Sequence, residues 1–367
     1  MSWAQAEFHD LELGDARRTQ RLIKLVDDLS AQPTGSIPLA GGGWPETKAA
    51  YRLLDNPAVE WREILEVHTT RTVARMAGQA VVLCIQDTTE LDFTTQPGIA
   101  GLGRLSYEAQ HGLYMHPTLA VTPAGVALGV LDAWMWARKP KDQPDVKEST
   151  RWVEGYEIAA DRAETVPETR LVYVADREGD LRALIDAAAR RGTPADWLIR
   201  SKHDRKTTTG EKLWARLAQS DPLGEVEFTL PAAPDRPARS VRQTLYRTVV
   251  TLPAHHGHPA VTVTAILARE EQPPAGEKAI EWRLLTNRTA DTLEAVVELI
   301  DWYRKRWLIE IFFRIWKSGC RVEALQLGTL ERLERALVIY LIIAWRILHL
   351  VTWGRDCPNL PCNTIYG

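Results

Sequence analysis

The chain has 367 residues, 45% of them hydrophobic, a formal net charge of −3 and a pI near 6.3. This composition excludes a disordered chain and predicts two or three domains with sizeable cores. The small negative charge excludes polyanion binding by overall charge, so any affinity for nucleic acid has to come from local basic surfaces.

Residues 1–20 contain no basic segment followed by an apolar run, so no secretory signal is predicted. Residues 1–76 read as a small helical unit. Asp15 is placed to cap a helix whose Leu22, Leu25, Val26 and Leu29 share one face, with Arg17, Arg18, Arg21 and Lys24 displayed elsewhere. After a Pro/Gly-rich loop, WPETKAAYRLL opens a second helix, with Pro45 at its start and Asn56-Pro57 at its end. Thr47, Lys48, Tyr51 and Arg52 on this helix can reach a DNA groove; the solvated face of an ordinary bundle accounts for them as well.

From Ala80 the pattern changes. AVVLCIQD is a continuous apolar run that delivers Asp87 at its end, as a central strand would. Strands over 114–122 and 125–136 follow, then a helix over 148–164, then LVYVAD, which ends in Asp176. Strand, helix and strand of these lengths predict a right-handed crossover and a mixed sheet, with both aspartates at the same end of neighbouring strands. Asp180 is better placed than Asp176 to cap the helix over 181–191, which leaves Asp176 for chemistry.

A fifth strand, 195–200, runs into RSKHDRK, where Arg200, Lys202, Arg205 and Lys206 crowd around one acid, Asp204. A DNA contact and a solvated turn both fit this patch. Between residues 204 and 279, short strands separated by Pro/Gly loops predict an all-β insertion dotted by Arg236, Arg239, Arg242 and Arg247. EWRLLTN resumes the core, and helices over 292–317 and 331–353 complete it. The core is thus expected in two parts, 77–203 and 280–353, around the insertion.

The apolar run over 336–345 is broken by Arg346 and His349 and falls short of the roughly 20 residues of a membrane span, so a buried helix is predicted. Cys84, Cys320, Cys357 and Cys362 fit common zinc spacings poorly and are expected as reduced thiols of a cytosolic protein. The sequence HHGHP, with His255, His256 and His258, offers metal-ligand types, but with no partner cysteine or carboxylate nearby a turn between two strands is the expectation.

The stretch YRKRWLIEIFFRIWK, residues 303–317, carries the sharpest pattern. On a helix at about 100° per residue, Tyr303, Arg306, Glu310 and Lys317 fall within roughly 60° of one another, while apolar residues fill the other directions. An internal Arg306–Glu310 pair is one account of the stripe. The other joins Glu310 to Asp87 and Asp176: three carboxylates, two from strand ends and one from a helix, suit a pair of Mg2+ ions for phosphodiester chemistry. Arg306 and Lys317 would then hold phosphate, with Tyr303 donating a hydrogen bond to it.

Tyr303, Arg306, Glu310 and Lys317 match the motif Y-(2)-R-(3)-E-(6)-K of the insertion-sequence-four family of DDE transposases in every gap, and VADREGD at Asp176 and IQDTTELDF at Asp87 resemble its aspartate motifs. LGDARRTQRL and AAYRLLDNP resemble the family's N-terminal DNA-binding domain, and RSKHDRK its basic segment. The resemblance implies a ribonuclease-H-like mixed sheet with flanking helices, an all-β insertion and a small N-terminal helical domain. It further implies an Mg2+-dependent enzyme, with Mn2+ as substitute, that cleaves transposon ends and joins them to target DNA as a homodimer, by a cut-and-paste route through hairpins. A bacterial, cytoplasmic, nucleoid-associated protein is expected. Trp282, 21 positions before Tyr303, matches a tryptophan that in the family holds a flipped-out base; a buried strand tryptophan is the alternative. The family carries a further C-terminal dimerisation domain, which residues 354–367 are expected to begin. A chain lacking it would pair two ends weakly, and an inactive DNA-binding remnant or inhibitor of transposition is the second expectation.

Overall fold

The computed structural model describes residues 1–140, 142–230, 232, 237–356 and 359. Arg236, Cys357, Cys362 and most of the segment expected to open a dimerisation domain lie outside the described residues. The chain forms two compact units: Met1–Arg151 together with the chain from Trp307, and Trp152–Arg306.

The first unit begins with five helices, α1 (Trp3–Phe8), α2 (Ala16–Ala31), α3 (Ile37–Gly41), α4 (Trp44–Leu54) and α5 (Trp61–Met76). Five strands follow: β1 (Val81–Gln86), β2 (Thr89–Asp92), β3 (Gly103–Arg104), β4 (His111–Val121) and β5 (Ala127–Trp136). The second unit holds α6 (Thr150–Thr165), β6 (Arg170–Ala175), α7 (Arg182–Arg190), β7 (Asp196–Arg200), α8 (Leu213–Ala218), β8 (Pro222–Leu230), β9 (Arg239–Leu252), β10 (Val261–Glu270), β11 (Glu281–Thr286) and α9 (Leu293–Lys305). The chain then returns to the first unit as α10 (Trp307–Arg314) and α11 (Leu330–Asp356).

In the first unit the local signals act as the sequence predicts. Asp15 caps α2 by accepting from the Arg17 amide at 2.9 Å, and Leu22, Leu25, Val26 and Leu29 are buried. Strand β4 is the hub of the sheet, pairing antiparallel with β1, β2, β3 and β5. Gly129 in β5 has φ +155, and a Cβ there would meet Thr72 Oγ1 at 1.9 Å; only glycine lets α5 approach this closely. Helix α11 is long and apolar enough to cross a membrane by length and composition, yet 61% of that window is buried in the protein. It packs on α5 and β5, and each fully buried Leu or Ile along it contributes about 1.5–3 kcal/mol. Its Arg335 donates to the carbonyls of Leu54 (3.0 Å) and Val59 (2.6 Å), satisfying the end of α4 and the loop after it. The indole of Trp345 donates to the Ala127 carbonyl at 3.0 Å. The helices expected as an N-terminal domain are thereby tied to the strands that carry Asp87.

In the second unit β6 and β7 run parallel, joined through α7. The sheet continues antiparallel from β7 through β11, β10 and β9 to β8. The insertion differs from the all-β expectation in one element: α8 forms within it because Leu213 and Leu217 both find a buried face. Its strands β8–β10 extend the sheet of the second unit, with β10 registered on β11 from Thr264 to Arg269. His255 and His258 exchange two backbone hydrogen bonds in the expected turn between β9 and β10.

Candidate active site

Strand β1 is buried from Val82 to Gln86, and the chain emerges at Asp87, a half-exposed residue whose Oδ1 accepts from the Thr88 amide at 2.8 Å. Beside it, the Thr88 hydroxyl is hydrogen bonded to His116 Nδ1 at 2.6 Å. Burial, reinforced by the nearby Arg151, pushes His116 down to about 3, so its ring is neutral and can accept that bond. On α10, Ile309, Phe312 and Phe313 are buried, which leaves Glu310 on a half-exposed flank. Asp87 and Glu310 line one cleft of about 510 Å3, together with Arg314, Lys317 and Glu323. Residues more than 200 positions apart are brought to one surface by the packing of the first unit.

The stripe from Tyr303 to Lys317 is not carried by one helix. Helix α9 ends at Lys305, Arg306 caps it, and α10 runs only from Trp307 to Arg314. The chain then widens into a π-turn over Ile315–Gly319, closed by the Cys320 amide donating to the Ile315 carbonyl at 2.8 Å. A constant 100° step fails there, so the direction of Lys317 is decided by its contacts. Its Nζ donates to the Glu90 carbonyl at 2.7 Å and lies 3.4 Å from the Glu323 carboxylate. Nor are all the apolar residues that fill the other directions buried: Trp307 is 59% exposed.

In the second unit Asp176 stands at the end of β6, as expected, but the capping roles are reversed. Asp176 Oδ1 accepts from the Glu178 amide at 2.7 Å and caps a 3-10 turn over Arg177–Gly179. Asp180 caps nothing in α7, whose first flanking residue is Leu181. It is buried, accepts from the amides of Lys202 (2.6 Å) and His203 (2.8 Å), and pairs with Arg205 at 2.5 Å. Arg205 is therefore a structural cation, whereas Lys202 and Lys206 of the same basic patch are exposed. Arg200 is half-buried and donates to the Glu281 carbonyl at 3.3 Å.

Tyr303 is buried, and desolvation pushes its hydroxyl up, tempered by the charges of Arg306 and Arg200, with Asp176 acting in the other direction. The second unit thus gathers Asp176, Arg200, Tyr303 and Arg306. Trp282 is neither a free platform nor fully buried: its ring stacks on Phe228 at 5.6 Å and meets Tyr303 edge-on at 6.0 Å. On α4, Lys48, Tyr51 and Arg52 are exposed, but Thr47 is buried and its hydroxyl donates to the Gly43 carbonyl at 2.7 Å. Trp44, one turn before Lys48 and 75% exposed, extends this face and carried no periodic signal of its own. Arg314 and Glu323 were likewise invisible to spacing, because only the fold shows that they border the cleft.

Asp87 and Glu310 offer the oxygen donors that Mg2+ prefers, and no His or Cys lines the cleft among the described residues, so the donor set fits a hard divalent ion. Among those residues no three His, Cys, Asp or Glu side chains are gathered as a ready metal cage, and the cleft contributes two of the expected ligands.

Residues 1–59 match the transposase DNA-binding family, and residues 154–346, more than half of the chain, match the transposase DDE domain. The chain belongs to the DDE transposase family. The DDE match spans Asp176 and Glu310, and the DNA-binding match spans Lys48, Tyr51 and Arg52. Among solved structures, the chain is similar to a piggyBac transposase in a synaptic complex with hairpin DNA, seen by cryo-EM, at 10% identity and a TM-score of 0.43. The alignment covers 85% of this DDE-family chain and 56% of the piggyBac chain.

Proposed function

We propose that the protein is a metal-dependent DNA transposase, of the kind typified by the insertion-sequence-four family, that cuts transposon ends and joins them to target DNA. One observation carries the proposal: Asp87 and Glu310, from a strand end and a distant helix, line the same cleft with Lys317. Asp87, Asp176 and Glu310 are assigned as the ligands of two Mg2+ ions, for which Mn2+ can substitute. Bound there, the ions would supply an activated attacking oxygen and stabilise the leaving one.

The protein's own residues do the rest. Lys317 and Arg306 neutralise the phosphate at the cut, and Tyr303 donates a hydrogen bond to it. Trp282, backed by Phe228 and Tyr303, offers an aromatic face to an unstacked base near the end. Lys48, Tyr51 and Arg52 hold the terminal inverted repeat, and Arg200, Lys202 and Lys206 contact its backbone. Pairing of two ends calls for a homodimer. The cut-and-paste route through a hairpin rests on the family resemblance.

The test is incubation with duplexes carrying the flanking inverted repeats in Mg2+. Nicked or excised ends are expected, and Glu310→Ala should lower cleavage by about three orders of magnitude or more while DNA binding persists. Cleavage undiminished in Glu310→Ala would overturn the assignment.

A further inference from the structure

The cleft at Asp87 does not end at Lys317. Lys317 and Glu323 also border a second hollow of about 580 Å3, which Arg321 enters. Arg321 in turn borders a third, of about 440 Å3, whose lining includes Tyr51 of α4. The three hollows adjoin, sharing lining residues from one to the next, and trace a trough within the first unit, from the carboxylates to the helix matched as DNA-binding.

Arg321 stands at the junction, and its backbone is unusual. It has φ +52 and ψ +39, a left-handed conformation that glycine adopts without cost and arginine does not. Its side chain is exposed, and among the described residues the guanidinium has no hydrogen-bond or ion-pair partner. Strain kept by a residue whose side chain does nothing for the fold points to a use outside the fold. Glu323, the acid that lines the same hollow as Arg321, is engaged by Lys317 and by the Asp92 amide at 2.9 Å, so it does not neutralise Arg321.

We infer that Arg321 is a phosphate-binding residue of a nucleic-acid track that joins the end-reading helix to the catalytic carboxylates. This inference rests on the transposase reading and names a contact which that reading does not require. A guanidinium suits a phosphate diester by its fork of donors, and the trough suits an extended polyanion better than a compact ligand because it continues past Arg321 on both sides.

The test is fluorescence anisotropy of the full chain with an end duplex across a salt series, for wild type, Arg321→Gly, Arg321→Ala and Arg321→Lys, with thermal melts of each. Arg321→Gly relieves the backbone strain, so its melting temperature should hold or rise while affinity falls about tenfold and the salt slope shrinks by about 1. Arg321→Ala should weaken binding equally, and Arg321→Lys should restore most of it. If wild type does not bind the duplex, the transposase reading fails. If wild type binds and Arg321→Gly or Arg321→Ala bind equally with an unchanged slope, only this inference fails. A melting temperature that drops in Arg321→Gly together with affinity would make the residue structural and also overturn it.

Discussion

Glu7 on α1 is 6% exposed and is held by His68 Nδ1 at 2.5 Å and by Arg75 at 2.9 and 3.1 Å. Burial alone would raise its carboxyl, but the hydrogen bonds and charges of His68 and Arg75 outweigh that and bring it down to about 2 from an ordinary 4.5. At roughly 1.4 kcal/mol per tenfold, the ionised carboxylate favours the folded state by about 3 kcal/mol at neutral pH. Glu7→Gln should lose an amount of that order at pH 7. Because the folded value is the lower one, this stabilisation is complete above the unfolded value of 4.5 and fades as pH falls towards 2. His68 is held below 6.5 by burial, against the pull of Glu7, so the unfolded chain takes up its proton first and acid weakens the fold below about 6.5 as well. Urea unfolding of wild type and Glu7→Gln between pH 7 and pH 2.5 checks this: the two midpoints should be well apart at neutral pH and converge below pH 4. A gap that stays constant across the range would refute an ionisation-linked lock.

The remaining predictions concern single contacts. Arg205→Ala should cost about 3–5 kcal/mol, because it strips the guanidinium from the buried Asp180. By contrast, Lys202→Ala and Lys206→Ala should leave the melting temperature unchanged and weaken only DNA binding; a stable Arg205→Ala with poor DNA binding would reverse this division. Gly129→Ala, whose new methyl would lie 1.9 Å from Thr72 Oγ1, should destabilise by about 3 kcal/mol in a thermal melt, and a variant that melts like wild type would show that α5 can retreat from β5.

Strand ends at Asp87 and Asp176, the capped α2 and the buried α11 were legible because each depends on short-range signals: apolar runs, caps and periodicity within one element. The four-residue motif at Tyr303 to Lys317 was legible as a spacing, but not as a shape. Its helix breaks at Arg306 and widens at Ile315–Gly319, and no residue there announces a π-turn. The choice between Asp176 and Asp180 as cap is not legible in the sequence for a related reason. A capping preference is local, but Asp180 is claimed by Arg205 and two backbone amides from a loop some twenty residues on.

Sequence alone pointed to the DDE transposase family and named the candidate carboxylates and candidate basic residues, since these are matters of residue type and local order. Tertiary structure decided which of them share a surface. It set Glu310 in the cleft with Asp87, turned Arg205 from a DNA contact into the partner of a buried acid, and opened the trough in which Arg321 stands. The physical reason is that burial and pairing depend on segments distant in the chain, and a charged side chain's role follows from what meets it there.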